Sequence, residues 1–168
     1  MDMTYGQNDK LRVGWREWLA LPGLGIPAIK AKVDTGARTS ALHAFTLQAF
    51  RADGRLQVRF GIHPLQRRKD IKIMCIADVI DQRIVRDSGG HKEKRYVIRT
   101  PIRLGNRQWP IEITLTDRDP MLFRMLIGRT AMQSHVLIDP DASFLTGRKL
   151  AKTYSPRSKK TSRPERSS

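Results

Sequence analysis

Asp34 is the residue whose type and setting could do the most chemistry in this chain. It opens the run Asp34-Thr35-Gly36-Ala37 and is delivered by Ile26 to Val33, an alternating segment of strand character. A carboxylate placed at the end of a strand, beside a glycine that permits close approach, can activate water when a second carboxylate shares it. The ionised member takes a proton from the water while its protonated neighbour polarises a carbonyl. Such a pair shares one proton, because two adjacent charges repel, and it titrates as a unit. The chain holds one turn of this kind. Asp and Gly are also ordinary turn residues, so the triplet equally fits a plain β-turn in a binding domain.

About ninety residues later comes Met125-Leu126-Ile127-Gly128-Arg129, an apolar strand closed by Gly-Arg. Together the two segments resemble the retropepsin-like aspartic peptidases, in which an Asp-Thr-Gly-Ala turn is backed by a later apolar-apolar-Gly-Arg segment. Within that group, the run from Lys32 through Asp34-Thr35-Gly36-Ala37-Arg38-Thr39-Ser40 to Ala44, with Arg95-Tyr96-Val97-Ile98-Arg99-Thr100, is similar to the RimB-like family, also labelled ATP-dependent zinc proteases. The resemblance covers roughly residues 12 to 145. It implies an all-β, closed barrel-like domain and a homodimer to which each subunit contributes Asp34, Thr35 and Gly36 as the catalytic turn. Failing a dimer, Asp78 or Asp87 of the same chain would have to supply the second acid. Ala37 and Arg38 would meet substrate, Ser88, Gly89 and Gly90 would form a flap over it, and Ile127, Gly128 and Arg129 would support the turn from behind. The resemblance further implies association with a RimK-type ATP-grasp glutamate ligase acting on a small-subunit ribosomal protein, and hence an acidic peptide or protein substrate such as a glutamate-tailed one. Two readings from other classes stand beside the peptidase: a non-catalytic regulatory partner of that ligase, and a basic module bound to the ribosome or RNA.

One position departs from the viral members of the group, which carry an acid four residues after the catalytic aspartate, paired with the later arginine. Here that position is Arg38. The usual ion pair cannot form, and a guanidinium fork suits a substrate carboxylate instead. The alternative is that Glu17 or another acid pairs with Arg129 while Arg38 faces solvent.

The zinc in the family label has no local ligand set to match it. His43, His63, His91 and His135 are scattered, no His-Glu-x-x-His occurs, and Cys75 is the sole cysteine, so no metal is expected. No phosphate-cradling Gly-x-x-x-x-Gly-Lys loop is present either, so no cofactor is expected and any link to ATP must come through a partner. One cysteine also excludes an intrachain disulfide, and Cys75, inside an apolar stretch, is expected to be a buried small hydrophobe. No apolar window reaches membrane-spanning length and no targeting signal is visible, so the cytoplasm is the expected location.

Net charge is +16, from 32 Lys and Arg against 16 Asp and Glu. The segment from Arg148 contributes +7 and the body +9, so both halves favour an acidic partner. The tail interleaves no aromatic residue with its basic runs, which argues against base stacking there but leaves non-specific nucleic-acid attraction open.

The elements that must position Asp34 are short strands with Gly and Pro punctuation. They are expected in Val13 to Leu21, Ile26 to Val33, Ala41 to Phe50, Leu56 to Phe60, Ile71 to Ile76 and Val136 to Ile138. Gly105-Asn106 predicts a tight hairpin turn between Tyr96–Thr100 and Ile111–Leu115, with Pro101 and Pro110 limiting the pairing. Arg83 to Glu93, charged and centred on Asp87-Ser88-Gly89-Gly90, is expected to be a mobile loop tip, and Arg129 to Ser134 a short helix. The domain organisation is a lead-in over 1–11, one folded domain over 12–147 and a disordered basic tail over 148–168.

Overall fold

Segments in which apolar and polar residues alternate fold, in the computed structural model, into strands; residues 9–86 and 89–154 are described. In chain order these are β1 (Leu11–Val13), β2 (Arg16–Leu21), β3 (Ile26–Val33), β4 (Ser40–Ala44), β5 (Thr46–Ala52), β6 (Arg55–Ile62), β7 (Ile73–Asp78), β8 (Asp81–Arg86), β9 (Lys92–Leu104), β10 (Arg107–Asp117), β11 (Met125–Ile127) and β12 (Val136–Ile138). One short helix, α1 (Arg129–Met132), follows the Ile-Gly-Arg segment as expected. Strands β10-β4-β11-β3-β2-β9 form a ring that closes because β9 also pairs with β10. This is the closed β-barrel anticipated from the sequence. β8 hangs from the outer side of β9, β5-β6-β7 make a separate antiparallel sheet, and β1 pairs in parallel with β12.

The barrel interior collects one face of each strand. Leu19, Leu21, Ile26, Ile29, Leu42, Ile98, Ile102 and Ile113 are buried there, joined by Phe60 and Ile62 from β6. Burial of apolar area on this scale is the main driving force for closure. Cys75 is buried and its thiol is pushed up to about 12 by burial, so it behaves as the small hydrophobe expected of it. No helix among the described residues is long and apolar enough to cross a membrane.

Glu17 sits on the core face of β2, an unusual place for a carboxylate. Its oxygens accept from Gly14 N–H at 2.7 Å, Leu145 N–H at 2.8 Å, Thr146 N–H at 3.1 Å and the Thr146 hydroxyl at 2.7 Å. Those bonds compensate its desolvation and tie the chain's late loop to β2. Glu17 is therefore not the partner of Arg129.

Several boundaries differ from the sequence reading. Arg83 to Glu93 is mostly strand: β8 pairs with β9 from Asp81 opposite Val97 to Arg86 opposite Lys92, and of the expected loop centre Asp87 and Ser88 lie outside the described residues. The β-branched pair Ile84-Val85 outweighs its charged surroundings. Ala41 to Phe50 is two strands, broken at Phe45 as the chain leaves the barrel for the β5-β6-β7 sheet. Pro101 and Pro110 do not limit the hairpin, because they lie directly opposite each other, at a pair position that needs no N–H between the strands. The turn itself is as predicted, with Gly105 at φ +62°. Residues 149–154 do not fit the tail expected from 148 onward. Lys149–Lys152 form a 3₁₀ turn, and the Tyr154 hydroxyl donates to the Ala28 carbonyl, so this stretch packs on the barrel; residues 155–168 lie outside the described residues. The lead-in likewise ends early, since Leu11 already pairs with Val136.

Candidate active site

β3 ends at Val33 and β4 begins at Ser40, and the Asp34 turn bridges them. β11 lies between these strands, parallel to β3 with Ile127 opposite Val33, and antiparallel to β4 with Leu126 opposite Ala41. Its end therefore arrives directly beneath the turn. Asp34 N–H donates to the Ile127 carbonyl at 2.9 Å, Ala37 N–H to the Asp34 carbonyl at 3.2 Å, and Gly36 N–H to Asp34 Oδ1 at 3.1 Å.

The chain leaving β11 completes the hold. Arg129 N–H donates to the Ala37 carbonyl at 2.8 Å and Thr130 N–H to the Arg38 carbonyl at 3.0 Å. The Arg129 guanidinium donates to the Thr35 carbonyl at 2.9 Å and lies 3.4 Å from that of Gly36. Every backbone carbonyl from Asp34 to Arg38 thus has a donor. Arg129 supports the turn through backbone oxygens, which is why it needs no acid. Gly128 is buried, and its N–H donates to Ser40 Oγ at 3.0 Å. A Cβ at Gly128 would fall 2.5 Å from Thr39 C and 2.8 Å from Ser40 N, so only glycine lets the chain pass this close to the turn.

Beside the turn lies a cleft of about 400 Å³, lined on one side by Gly36, Ala37, Arg38 and Thr39 and on the other by Arg83, Ile84, Val85 and Arg86 of β8. Asp34 lies two residues before this lining and is half-buried. Arg95 and Thr114 join the two sides: Arg95 Nε donates to Glu93 at 2.6 Å, its terminal nitrogen lies 3.5 Å from Thr114 Oγ1, and Thr114 donates to the Ser40 carbonyl at 3.2 Å. Arg83 is neutralised by Asp81 at 2.8 Å and Glu112 at 2.9 Å. Arg38 is exposed, and no carboxylate among the described residues pairs with it. Among the described residues, no carboxylate lines the cleft wall. Asp78 is engaged by Arg55 and Gln57 outside the cleft, and Asp87 lies outside the described residues.

Of the residues picked out by sequence, Asp34 to Arg38 and Ile127 to Arg129 converge on one turn. Gly89 and Gly90 sit in the β8–β9 turn, with Gly90 at φ +86°, and Ser88 lies outside the described residues. Sequence reasoning missed Ser40, Thr114 and the β8 wall. Ile84-Val85 was the available signal for β8; a serine 88 positions from its partner carries none.

The histidines are engaged elsewhere. His43 Nδ1 lies 2.7 Å from Thr116 Oγ1, and burial, with Arg95 nearby, lowers its pKa to about 4, so it is neutral at pH 7. His63 Nδ1 meets Asp119 at 3.0 Å. Among the described residues no three His, Cys, Asp or Glu side chains converge, so they do not fit a zinc ion.

A family model described as RimB-like, retropepsin-like aspartic endopeptidase, matches residues 12–149. A protein of Shewanella pealeana named "Probable alpha-L-glutamate ligase" is 47% identical over 142 residues, which are 84% of this chain and 31% of that protein. One of the same name from Parasynechococcus marenigrum is 51% identical over 138 residues, 82% of this chain and 30% of the relative. The chain thus spans about a third of the length of the curated relatives it matches. The crystal structure of Lpg0085 from Legionella pneumophila, a protein of unknown function, superposes with a TM-score of 0.66 at 26% identity, covering 81% of this chain and 98% of that one. The match over residues 12–149 takes in both the Asp34 turn and the Gly128-Arg129 support beneath it, and the chain belongs to the RimB-like family of retropepsin-like aspartic endopeptidases.

Proposed function

We propose that the chain is a peptidase for acidic, glutamate-bearing peptides, working as a homodimer with Asp34 of each copy sharing one water. The observation that carries this reading is a carboxylate turn held at every carbonyl beside a cleft in which no second carboxylate stands among the described residues. A two-fold axis beside the turn brings in the missing acid. One Asp34 then takes the proton from water as the water attacks the scissile carbonyl, and the other, protonated, donates to the developing oxyanion. Collapse of the tetrahedral intermediate returns a proton to the leaving amine. Thr35 of each copy bonds across the axis, Gly36 and Ala37 line the substrate channel, and Gly89 and Gly90 form the tip of the cover. Arg38, exposed at the cleft and paired with no carboxylate among the described residues, binds a substrate glutamate.

The test is cleavage of glutamate-tailed and neutral peptides, followed by mass spectrometry at several protein concentrations. Asp34→Asn should abolish cleavage, losing at least about a thousandfold, and specific activity should rise with concentration through the dimerisation range. Arg38→Ala should lose activity selectively on acidic peptides. Equal cleavage by wild type and Asp34→Asn would sink the peptidase reading, and an active monomer in sedimentation would sink the dimer.

The relatives named as glutamate ligases favour a second reading: this domain docks on a separate glutamate ligase and regulates it. That reading predicts a change in ligase rate on adding the chain that survives Asp34→Asn.

A further inference from the structure

Three cations converge on one aromatic ring at the outer face of β2 and β3. The Arg16 guanidinium lies 4.9 Å from the Phe144 centroid, Arg148 4.5 Å and the Lys30 ammonium 5.6 Å. Arg16 also covers Trp15 at 4.6 Å, and Lys30 faces Trp18 at 5.5 Å. Their remaining contacts are neutral: Arg16 Nε donates to Ser143 Oγ at 3.2 Å and Lys30 Nζ to Gln66 Oε1 at 2.7 Å. Among the described residues, no carboxylate pairs with Arg16, Lys30, Arg148 or the adjacent Arg67. The ammonium of Lys30 is held below its ordinary pKa, first by burial and then by Arg16, Arg148 and Arg67, which places all four in one field. Cations gathered without a counter-charge repel one another, and the aromatic faces offset only part of that cost.

We infer that this cation–aromatic patch binds a single-stranded nucleic acid. Three guanidinium forks match phosphate oxygens. Partly exposed Trp15 and Trp18 stand among the cations, and aromatic faces among positive charges suit stacked bases. Glutamate side chains have no ring to stack, so the tryptophans favour nucleic acid over an acidic peptide. Arg148, Lys149 and Lys152 add positive charge in sequence beside the patch, and residues 155–168 carry five Lys and Arg against the single acid Glu165. None of the four cations lines the cleft beside Asp34, and nothing in the inference rests on the peptidase reading.

The experiment is fluorescence anisotropy of the full chain with a labelled single-stranded RNA of about 20 nucleotides, longer than the ~4–16 that one comparable domain covers. The triple variant Arg16→Gln, Lys30→Gln, Arg148→Gln should weaken binding at least about tenfold. Its slope of log affinity against log salt should flatten by about two, from three lost phosphate contacts at ~0.7 each. Arg16→Lys with Arg148→Lys, which keeps the charge, should preserve the slope. A readout independent of any variant's folding is acetylation of the wild-type chain: RNA should protect Lys30 in the mass spectrum. Equal labelling of Lys30 with and without RNA overturns the inference. So does a triple variant that binds like wild type while removal of 155–168 abolishes binding. Full displacement of RNA by an oligo-glutamate peptide that protects Lys30 equally well would assign the patch to acidic peptides and overturn it too.

Discussion

The two walls of the cleft are built on opposite plans. Beneath Asp34, β3, β4, β11 and α1 meet through buried backbone, and each carbonyl of the turn is bonded. Across from it, β8 is an edge strand with β9 as its only partner among the described residues, and Ile84 stands 70% exposed toward the cleft. A site that must place a carboxylate accurately needs the first kind of wall, and one that must admit a polymer and cover it needs the second. The contrast locates precision in packing and adaptability in an edge hairpin.

The most damaging change should fall on the rigid wall. Gly128→Ala forces a methyl against Thr39 and Ser40 backbone, and should cost about 3 kcal/mol of stability in urea unfolding. A loss below ~1 kcal/mol would mean that the wall relaxes easily and the contrast is weaker than drawn.

Next is Ser40→Ala, which strands the buried Gly128 N–H. About 2 kcal/mol should be lost, and Ser40→Thr should recover part of it. An unchanged urea midpoint for Ser40→Ala would show that Gly128 finds another acceptor.

A smaller effect belongs to His43 in β4. Its pKa in the folded chain is about 4, below the ordinary 6.5, so the unfolded chain takes up a proton that the folded one resists. The stability associated with His43 is complete above pH 6.5 and drains away as pH falls toward 4, by ~1 kcal/mol after allowing for partial exposure. His43→Gln should flatten that part of the pH–stability curve. A slope that survives the substitution would assign it to other groups.

The smallest change in stability is expected on the hairpin. Ile84→Ser should stay within about 0.5 kcal/mol of wild type, yet alter peptide KM if β8 covers substrate. A large loss of stability would make β8 part of the core and erase the distinction between the walls.

Much of this was legible in the residues. Ile26 to Val33 alternates and then breaks at Asp34-Thr35-Gly36, and Gly105-Asn106 sits between two apolar runs, so strand, turn and hairpin follow from local preferences alone. Arg129 was identified as support for the turn, but its partner was sought among acids because sequence displays side chains and hides carbonyls. The β8 wall was mistaken for a loop, since charges at Arg83 and Arg86 obscured a strand whose stability comes from β9. The cation–aromatic patch escaped notice because Trp18, Lys30 and Phe144 are far apart in the chain and meet only across β2, β3 and the late loop.

The sequence by itself determined the strand-rich class, the glycine turn that carries Asp34 and the apolar segment that serves it, because these depend on φ preferences and period-two patterning among neighbours. Tertiary structure alone decided that β11 enters between β3 and β4, that Ser40 meets Gly128 and that three cations share Phe144. Apart from Arg148 on Phe144, those contacts join residues many positions apart, and their geometry exists only once barrel closure has fixed which strands are adjacent.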